Sequence, residues 1–271
     1  MRKICLTFFL NIVITSFLHS QNNPIVYKYI AAYEVTWQPD SLDINSKVKL
    51  EEYKLFFDNS NSIFMSGNRL GLDSLIFSNK AKFEDMNKLM SMPQPSSNKR
   101  IFNKNTDTLT IINEVRGQLF EYKDIVKLNW KLSKEVDSIN GIAVKKATTF
   151  FRGRKYVAYY SEEMPMPFGP YKFFGLPGLI VKVYDEKKHI SFDLISLKSF
   201  DKKLALNYSN EVTFVQKKEF KKAERLYKTN PIPYMESQGA VFSEETKRII
   251  REKFRKRNEK TNNPIELKED N

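Results

Sequence analysis

Two hairpin signals in series constrain this chain more than any other feature. Residues 143–151 and 156–161 are runs of β-branched, aromatic and alternating polar residues that flank Arg152-Gly153-Arg154. Residues 179–184 and 189–197 repeat the arrangement around Asp185-Glu186-Lys187-Lys188. A short polar or glycine-bearing turn between two such runs reverses the chain at once and makes the runs antiparallel neighbours. Hairpins in series build an antiparallel sheet. Nothing in the chain shows the regular alternation of helix and strand that a parallel sheet demands.

The same texture recurs upstream. Residues 25–37 read as a strand ended by Pro39-Asp40, residues 48–57 as a second, and residues 63–65 as a third after the turn chemistry of Asp58-Asn59-Ser60-Asn61. Further strands are expected over 109–115, 119–122 and 127–132. Between them, Leu75, Ile76, Phe83, Met86, Leu89 and Met90 recur at helical intervals, which predicts a helix over 73–90 ended by Pro93 and Pro95. Two helices follow the strands. Residues 216–227 carry Phe220, Ala223 and Leu226 on one face. Residues 243–257 begin with a Ser243 cap and Glu244-Glu245 and end in Lys253, Arg255, Lys256 and Arg257, the order that suits the helix dipole. The fold class is therefore mainly β (α+β): a curved antiparallel sheet or open barrel with peripheral and C-terminal helices. One β-rich domain is expected over 21–258, with residues 259–271 a disordered tail.

The first twenty residues read differently. Arg2 and Lys3 precede an apolar run from Ile4 to Leu18, shorter than a bilayer requires, and Ser20 is small enough for a cleavage site. A signal peptide over 1–20 is expected, and with it export to the periplasm, the outer membrane or the medium. Cys5 is the sole cysteine and lies in that leader, so the mature chain has no thiol for disulfide, nucleophile or metal. No later stretch is apolar enough to span a membrane as a helix. The formal charge of +13 in an exported chain points away from nucleic acid and towards anionic lipid headgroups, acidic glycans or acidic proteins. A peripheral contact with an anionic membrane surface through the basic last helix is one expectation. Docking of its Ile249, Ile250 and Phe254 on the sheet is the other, and the commoner pattern.

Between the two hairpins lies Met164-Pro165-Met166-Pro167-Phe168-Gly169-Pro170-Tyr171-Lys172-Phe173-Phe174-Gly175-Leu176-Pro177-Gly178-Leu179-Ile180. Prolines fix φ and glycines admit close backbone approach, so the segment is stiff and its apolar side chains must pack. It is either a rigid connection that seals one end of the sheet or a preorganised loop that grips a ligand or partner. In the second reading the site residues are Pro165, Pro167, Gly169, Pro170, Phe174, Gly175, Leu176, Pro177 and Gly178. The hexapeptide from Gly175 to Ile180, together with Ala147 to Arg154, Ala158-Tyr159-Tyr160-Ser161 and Gly169-Pro170, resembles the GLPGLI family of exported bacterial envelope proteins. The resemblance is specific from about Trp130 to Leu197. It implies a mainly β envelope protein with no assigned activity, so no catalytic residues carry over. Val144 stands where many members have cysteine, and Tyr159 where tryptophan is common.

The residues offer little for chemistry. His189 is the single histidine beyond the leader, there is no Gly-x-Ser-x-Gly elbow, and no phosphate-cradling or dinucleotide motif is present. No cofactor, metal or catalytic residue is assigned. Three functions remain, in this order: a non-catalytic binding or accessory protein with a hydrophobic ligand in an apolar concavity, an interaction module for an outer-membrane complex, and a carboxylate hydrolase using Glu162, Glu163 and Asp185.

Overall fold

A computed structural model of the chain describes residues 26–77, 86–115, 117–200, 204, 206, 208 and 212–268. The expected leader lies outside the described residues. The strands are β1 (Tyr29–Trp37), β2 (Val48–Lys49), β3 (Tyr53–Phe57), β4 (Ser62–Ser66), β5 (Arg100–Asn103), β6 (Thr108–Val115), β7 (Gln118–Ile125), β8 (Lys131–Ile139), β9 (Ile142–Phe151), β10 (Arg154–Ser161), β11 (Leu179–Asp185), β12 (Ile190–Ser199) and β13 (Val212–Phe214). The helices are α1 (Gly67–Ile76), α2 (Met86–Ser91), α3 (Lys217–Thr229), α4 (Ile232–Ser237) and α5 (Glu244–Glu259). All strands join one open sheet in the order β13-β7-β6-β5-β4-β3-β1-β12-β11-β10-β9-β8, with β2 beside β1. Every pair is antiparallel except β13 with β7. The mainly β fold with an open curved sheet and helices near the end of the chain is as the sequence predicts.

The curvature follows from one contact. Eight strand steps separate β7 from β10, which in a flat sheet is about 40 Å. Yet Asp124 of β7 accepts hydrogen bonds from the guanidinium of Arg152, in the β9–β10 turn, at 2.7 and 3.0 Å. The sheet therefore curls until its two ends meet across an inner face. That face is lined by Tyr33, Val35, Leu55, Phe57, Phe64, Leu109, Tyr122, Ala158, Tyr160, Val183 and Phe192, all buried in one cluster.

Several boundaries differ from the sequence reading. The strand expected over 127–132 is instead β8, further along, and it closes on β9 through Asn140-Gly141, both at positive φ (52° and 80°). The helix expected over 73–90 starts earlier, at Gly67, because Ser66 caps it by accepting from the Arg69 amide. Residues 86–91 form the separate short α2, and 78–85 lie outside the described residues. Helix α5 does not dock on the sheet. It buries none of its residues and meets α3 through an edge-on contact of Phe254 with Tyr227 at 6.1 Å. Several of its cations pair with its own acids, as Arg255 does with Glu252 and Glu259, and Lys247 also reaches Glu236 of α4. The expected disordered tail is ordered through Lys268: Asn263 is 3 % exposed, and the Leu267 and Lys268 amides donate to the Arg152 carbonyl. Its polar composition hid this, because the partners that hold it lie more than a hundred residues away.

The proline- and glycine-rich segment joins β10 to its neighbour β11 and folds over the inner face. Phe168, Phe173, Leu176 and Leu179 are almost wholly buried there. Phe173 is the hub, with ring centroids of Tyr156 at 4.6 Å, Phe151 at 5.7 Å and Phe192 at 6.3 Å. The segment satisfies its own backbone through Gly175 N to Pro167 O, Leu179 N to Met164 O and Ile180 N to Phe168 O. Its two hexapeptide glycines have different reasons. Gly175 adopts φ +83° in open space, whereas a Cβ on Gly178 would lie 2.0 Å from the Ser161 carbonyl oxygen. Urea unfolding of Gly175→Ala should show a loss of about 1–2 kcal/mol from the left-handed backbone alone. Gly178→Ala should exceed about 3 kcal/mol, because backbone cannot yield as a side chain does. Equal effects would remove this distinction.

Candidate functional site

The nine residues singled out in the loop divide sharply. Gly169, Pro170, Phe174, Leu176 and Gly178 are buried and Pro167 half-buried, while Pro165, Gly175 and Pro177 are exposed. Trp130 Nε1 donates to the Phe174 carbonyl at 2.8 Å, fixing the loop against the chain before β8. The loop's rings occupy the concave face that a hydrophobic ligand was expected to use. The apolar concavity is thus part of the core, filled by the protein's own side chains.

Beside the loop, the chain buries a charge cluster. Alternation on the strand sends Asp124 inward, where Arg152 (φ 44°) reaches it, while Tyr171 (φ 57°) directs its hydroxyl to Glu266. Asp124 accepts from both Arg152 nitrogens, from Lys172 Nζ at 2.6 Å and from Lys217 Nζ at 2.7 Å. Glu266 accepts from Arg152 at 2.7 Å, Lys172 at 2.5 Å and the Tyr171 hydroxyl at 2.5 Å. Burial pushes both carboxyls up, but the neighbouring cations outweigh it and hold both well below the usual carboxylate range. Lys99 sits over the Tyr171 ring, its Nζ 5.5 Å from the centroid. Burial, reinforced by Lys172, pulls its ammonium down to about 8. The next residue, Arg100, points to the opposite face and serves a second buried cluster. There Asp73 of α1 accepts from Arg69, Arg100 and Tyr208.

The outer face carries a different surface. α1 with Leu204, Leu206 and Tyr208 covers the sheet near β3 to β6, but β10, β11 and β12 stay open. There the cross-strand pairs Tyr159↔Lys182, Lys182↔Asp193, Tyr184↔Ser191 and Thr36↔Ser191 set side chains in rows on one face. Tyr159 and Tyr184 lie nearly parallel (24°) with centroids 6.5 Å apart. Lys182 Nζ is 5.8 Å from the Tyr184 centroid and pairs with Asp193 at 2.6 Å. The Ser191 hydroxyl donates to Asp193. Burial, with a hydrogen bond that the Tyr184 hydroxyl donates to Tyr159, raises the Tyr184 phenol. Lys47 and Lys188 wall one side, joined by Lys47 Nζ to the Lys188 carbonyl at 3.0 Å, and Asp137 and Ile139 wall the other. The result is an open groove of about 440 Å³, within the size range of small-ligand sites. Its residues alternate with the core along each strand, a signal present in the sequence, but no motif marked them out.

The carboxylates proposed for hydrolysis do not converge. Glu162 and Glu163 are exposed, and Glu162 pairs with Lys145 at 2.7 Å. Asp185 is buried at the far end of β11, accepting from Arg154 and the Ile190 amide. Ser161 pairs with Leu179 and Tyr156 with Asp185, so about five residues of strand, roughly 17 Å, separate the groups. His189 lies against the 263–268 segment, its Nδ1 3.1 Å from Asn263 Nδ2. Among the described residues, no group of three or more His, Cys, Asp or Glu could hold a metal ion, and no helix is long and apolar enough to cross a membrane.

No protein-family model matches the chain, and no curated protein matches it. Among solved structures, two of PNGF-II in different space groups are similar to it. They give TM-scores of 0.51 and 0.50 at 15% identity and cover 73% of this chain, but only 33% and 32% of PNGF-II. The match takes in about a third of that protein, and the likeness is one of fold.

The charge cluster makes stability depend on pH in two windows. Asp124 and Glu266 are more acidic folded than unfolded, so their contribution is complete above their unfolded values near 4 and declines as pH falls below them. Lys99 shifts in the same direction for a different reason, since burial disfavours its charged form. Its folded value of about 8 lies below its unfolded value of 10.5, so the unfolded chain binds the extra proton between them. Its contribution to stability therefore rises with pH from 8 to about 10. Lys99→Met should remove that rise, read as the difference in urea midpoint between variant and parent at pH 8 and pH 10. A difference independent of pH would refute the assignment.

Proposed function

We propose that this chain is an exported, non-catalytic binding module of the bacterial envelope, of the GLPGLI type, and that it holds a polyhydroxylated ligand, a glycan segment, in the outer-face groove. The observation that carries the reading is the nearly parallel Tyr159–Tyr184 pair in an open groove among Lys182, Asp193 and Ser191. Sugar rings present C–H faces that lie against aromatic faces and hydroxyls that bond to charged side chains. A phenol ring with one apolar face and one polar tip suits such a wet, half-apolar contact. The open ends of the groove let a chain run through, and the filled interior leaves the outer face as the accessible surface. The leader-like opening and the loop motif support export and kinship.

Titration of neutral and acidic oligosaccharide fragments, followed by tyrosine-region NMR shifts and calorimetry, tests the reading. Tyr184→Ala should weaken binding at least tenfold, and Asp193→Asn several-fold, with the fold retained by circular dichroism. Unchanged affinity in both variants, or no fragment shifting these tyrosines, would end it. A second reading, an interaction module for an outer-membrane complex, draws on the edge strand β8. It is exposed almost throughout and carries Leu132 and Val136 to solvent, an unpaired edge of the kind a partner strand can extend.

A further inference from the structure

Residues 263–268 are held as a bound peptide is held. Asn263 donates through its backbone to the Pro39 carbonyl and through its side chain to the Gln38 carbonyl. Its own carbonyl accepts from Trp37 Nε1 at 2.8 Å. Arg154 donates to the Asn263 side chain at 2.6 Å, to the Pro264 carbonyl at 2.6 Å and to the Ile265 carbonyl at 3.2 Å, and the Tyr156 hydroxyl adds a bond to Ile265 at 3.0 Å. The Leu267 and Lys268 amides both donate to the Arg152 carbonyl. Most of these bonds read backbone, which any extended chain offers. The side chains read are Asn263 and Glu266.

Glu266 enters a hole that is basic without it. Arg152, Lys172, Lys99 and the Tyr171 hydroxyl surround it, and among the described residues Asp124 faces them from the sheet and Glu224 faces Lys99 from α3. Two of the four surrounding residues, Arg152 and Tyr171, hold left-handed backbone conformations that residues with side chains rarely adopt. Such strain persists where the surroundings impose it and gathers at binding sites. The approach is also close: a Cβ on Gly153 would stand 3.0 Å from that of Leu267. The helix that leads into the segment, α5, buries none of its residues, so release of the strap uncovers little apolar surface there.

We propose that the trough formed by Arg152, Arg154, Tyr156, Tyr171 and Lys172 is a recognition site for an extended acidic peptide segment of a partner protein, with residues 263–268 as its resident occupant. The acid of the incoming segment takes the place of the Glu266 carboxylate, and its backbone takes the bonds of Arg154 and Tyr156. The site is independent of the outer-face groove.

A fluorescent synthetic peptide of sequence Asn-Asn-Pro-Ile-Glu-Leu-Lys, titrated against the full chain and its Glu266→Lys variant, tests this. The variant places a cation among cations and should expel the strap. It should then bind the peptide at least tenfold more tightly than the parent does, and a peptide with glutamine in place of its glutamate should bind the variant at least tenfold more weakly. A folded variant that does not bind, or binds both peptides alike, overturns the proposal. If the variant does not fold, amide exchange of the parent decides. Leu267 and Lys268 amides exchanging at least tenfold faster than those of Phe173 and Ile180 support a releasable strap. Equal rates make the segment a fixed part of the core and overturn it.

Discussion

The ion cluster at Asp124 is the constraint on which the rest of the structure depends. It joins β7 to the β9–β10 turn, two places eight strands apart along the sheet, and so turns an open sheet into a curled one. Lys172 brings the connecting loop into the same cluster, Lys217 brings α3, and Glu266 brings the 263–268 segment through Arg152 and Lys172. Charges this deeply buried are tolerable only when paired and hydrogen-bonded. Removing one partner of such a pair typically costs about 3–5 kcal/mol. The strongest local bonds of the fold thus lie where its most distant parts meet, and the aromatic packing around Phe173 fills the space they enclose.

That arrangement decides where binding can occur. A curled antiparallel sheet invites the expectation of an apolar ligand inside it, but here the connection between β10 and β11 supplies the filling. Phe168, Phe173 and Leu176 do for the interior what a lipid would do. The strand alternation that turns Ala158, Val183 and Phe192 inward turns Tyr159, Lys182, Tyr184 and Asp193 outward. The outer surface therefore follows from the packing surface by a period of two. The stiff loop, the feature of the sequence most suggestive of function, packs its rings into the core, and the plainer residues on the other face line the groove.

The hairpins over 143–161 and 179–197 were legible because their turns and alternation are local signals, and the stiffness of the loop was legible from its prolines and glycines. β8 was misplaced although Asn140-Gly141 announces its turn. Its outward residues are charged and its edge position gives no alternating apolar pattern. α1 was late because Gly67, Asn68 and Gly71 are poor helix formers. The Ser66 cap and the Asp73 anchor to Arg100 and Tyr208 stabilise it in their stead. The ordered 263–268 segment could not be read at all. A run of Asn, Pro, Glu and Lys has the composition of a disordered tail, and only the spacing of Arg152 and Arg154 in the folded hairpin gives it a place. The outer groove was half legible: alternation places its residues on one face, but which face stays bare depends on what α1, Leu204, Leu206 and Tyr208 cover.

A double-mutant cycle on Asp124→Asn and Lys172→Met, read by urea unfolding at pH 7, tests the central claim most directly. If the cluster ties the curled sheet to its loop, each single change destabilises strongly and the double change costs much less than the sum, with a coupling of about 1.5–3 kcal/mol. Additive effects, with coupling below about 0.5 kcal/mol, would mean that the loop is held to the curled sheet by packing alone and that its ion pair with Asp124 is a bystander.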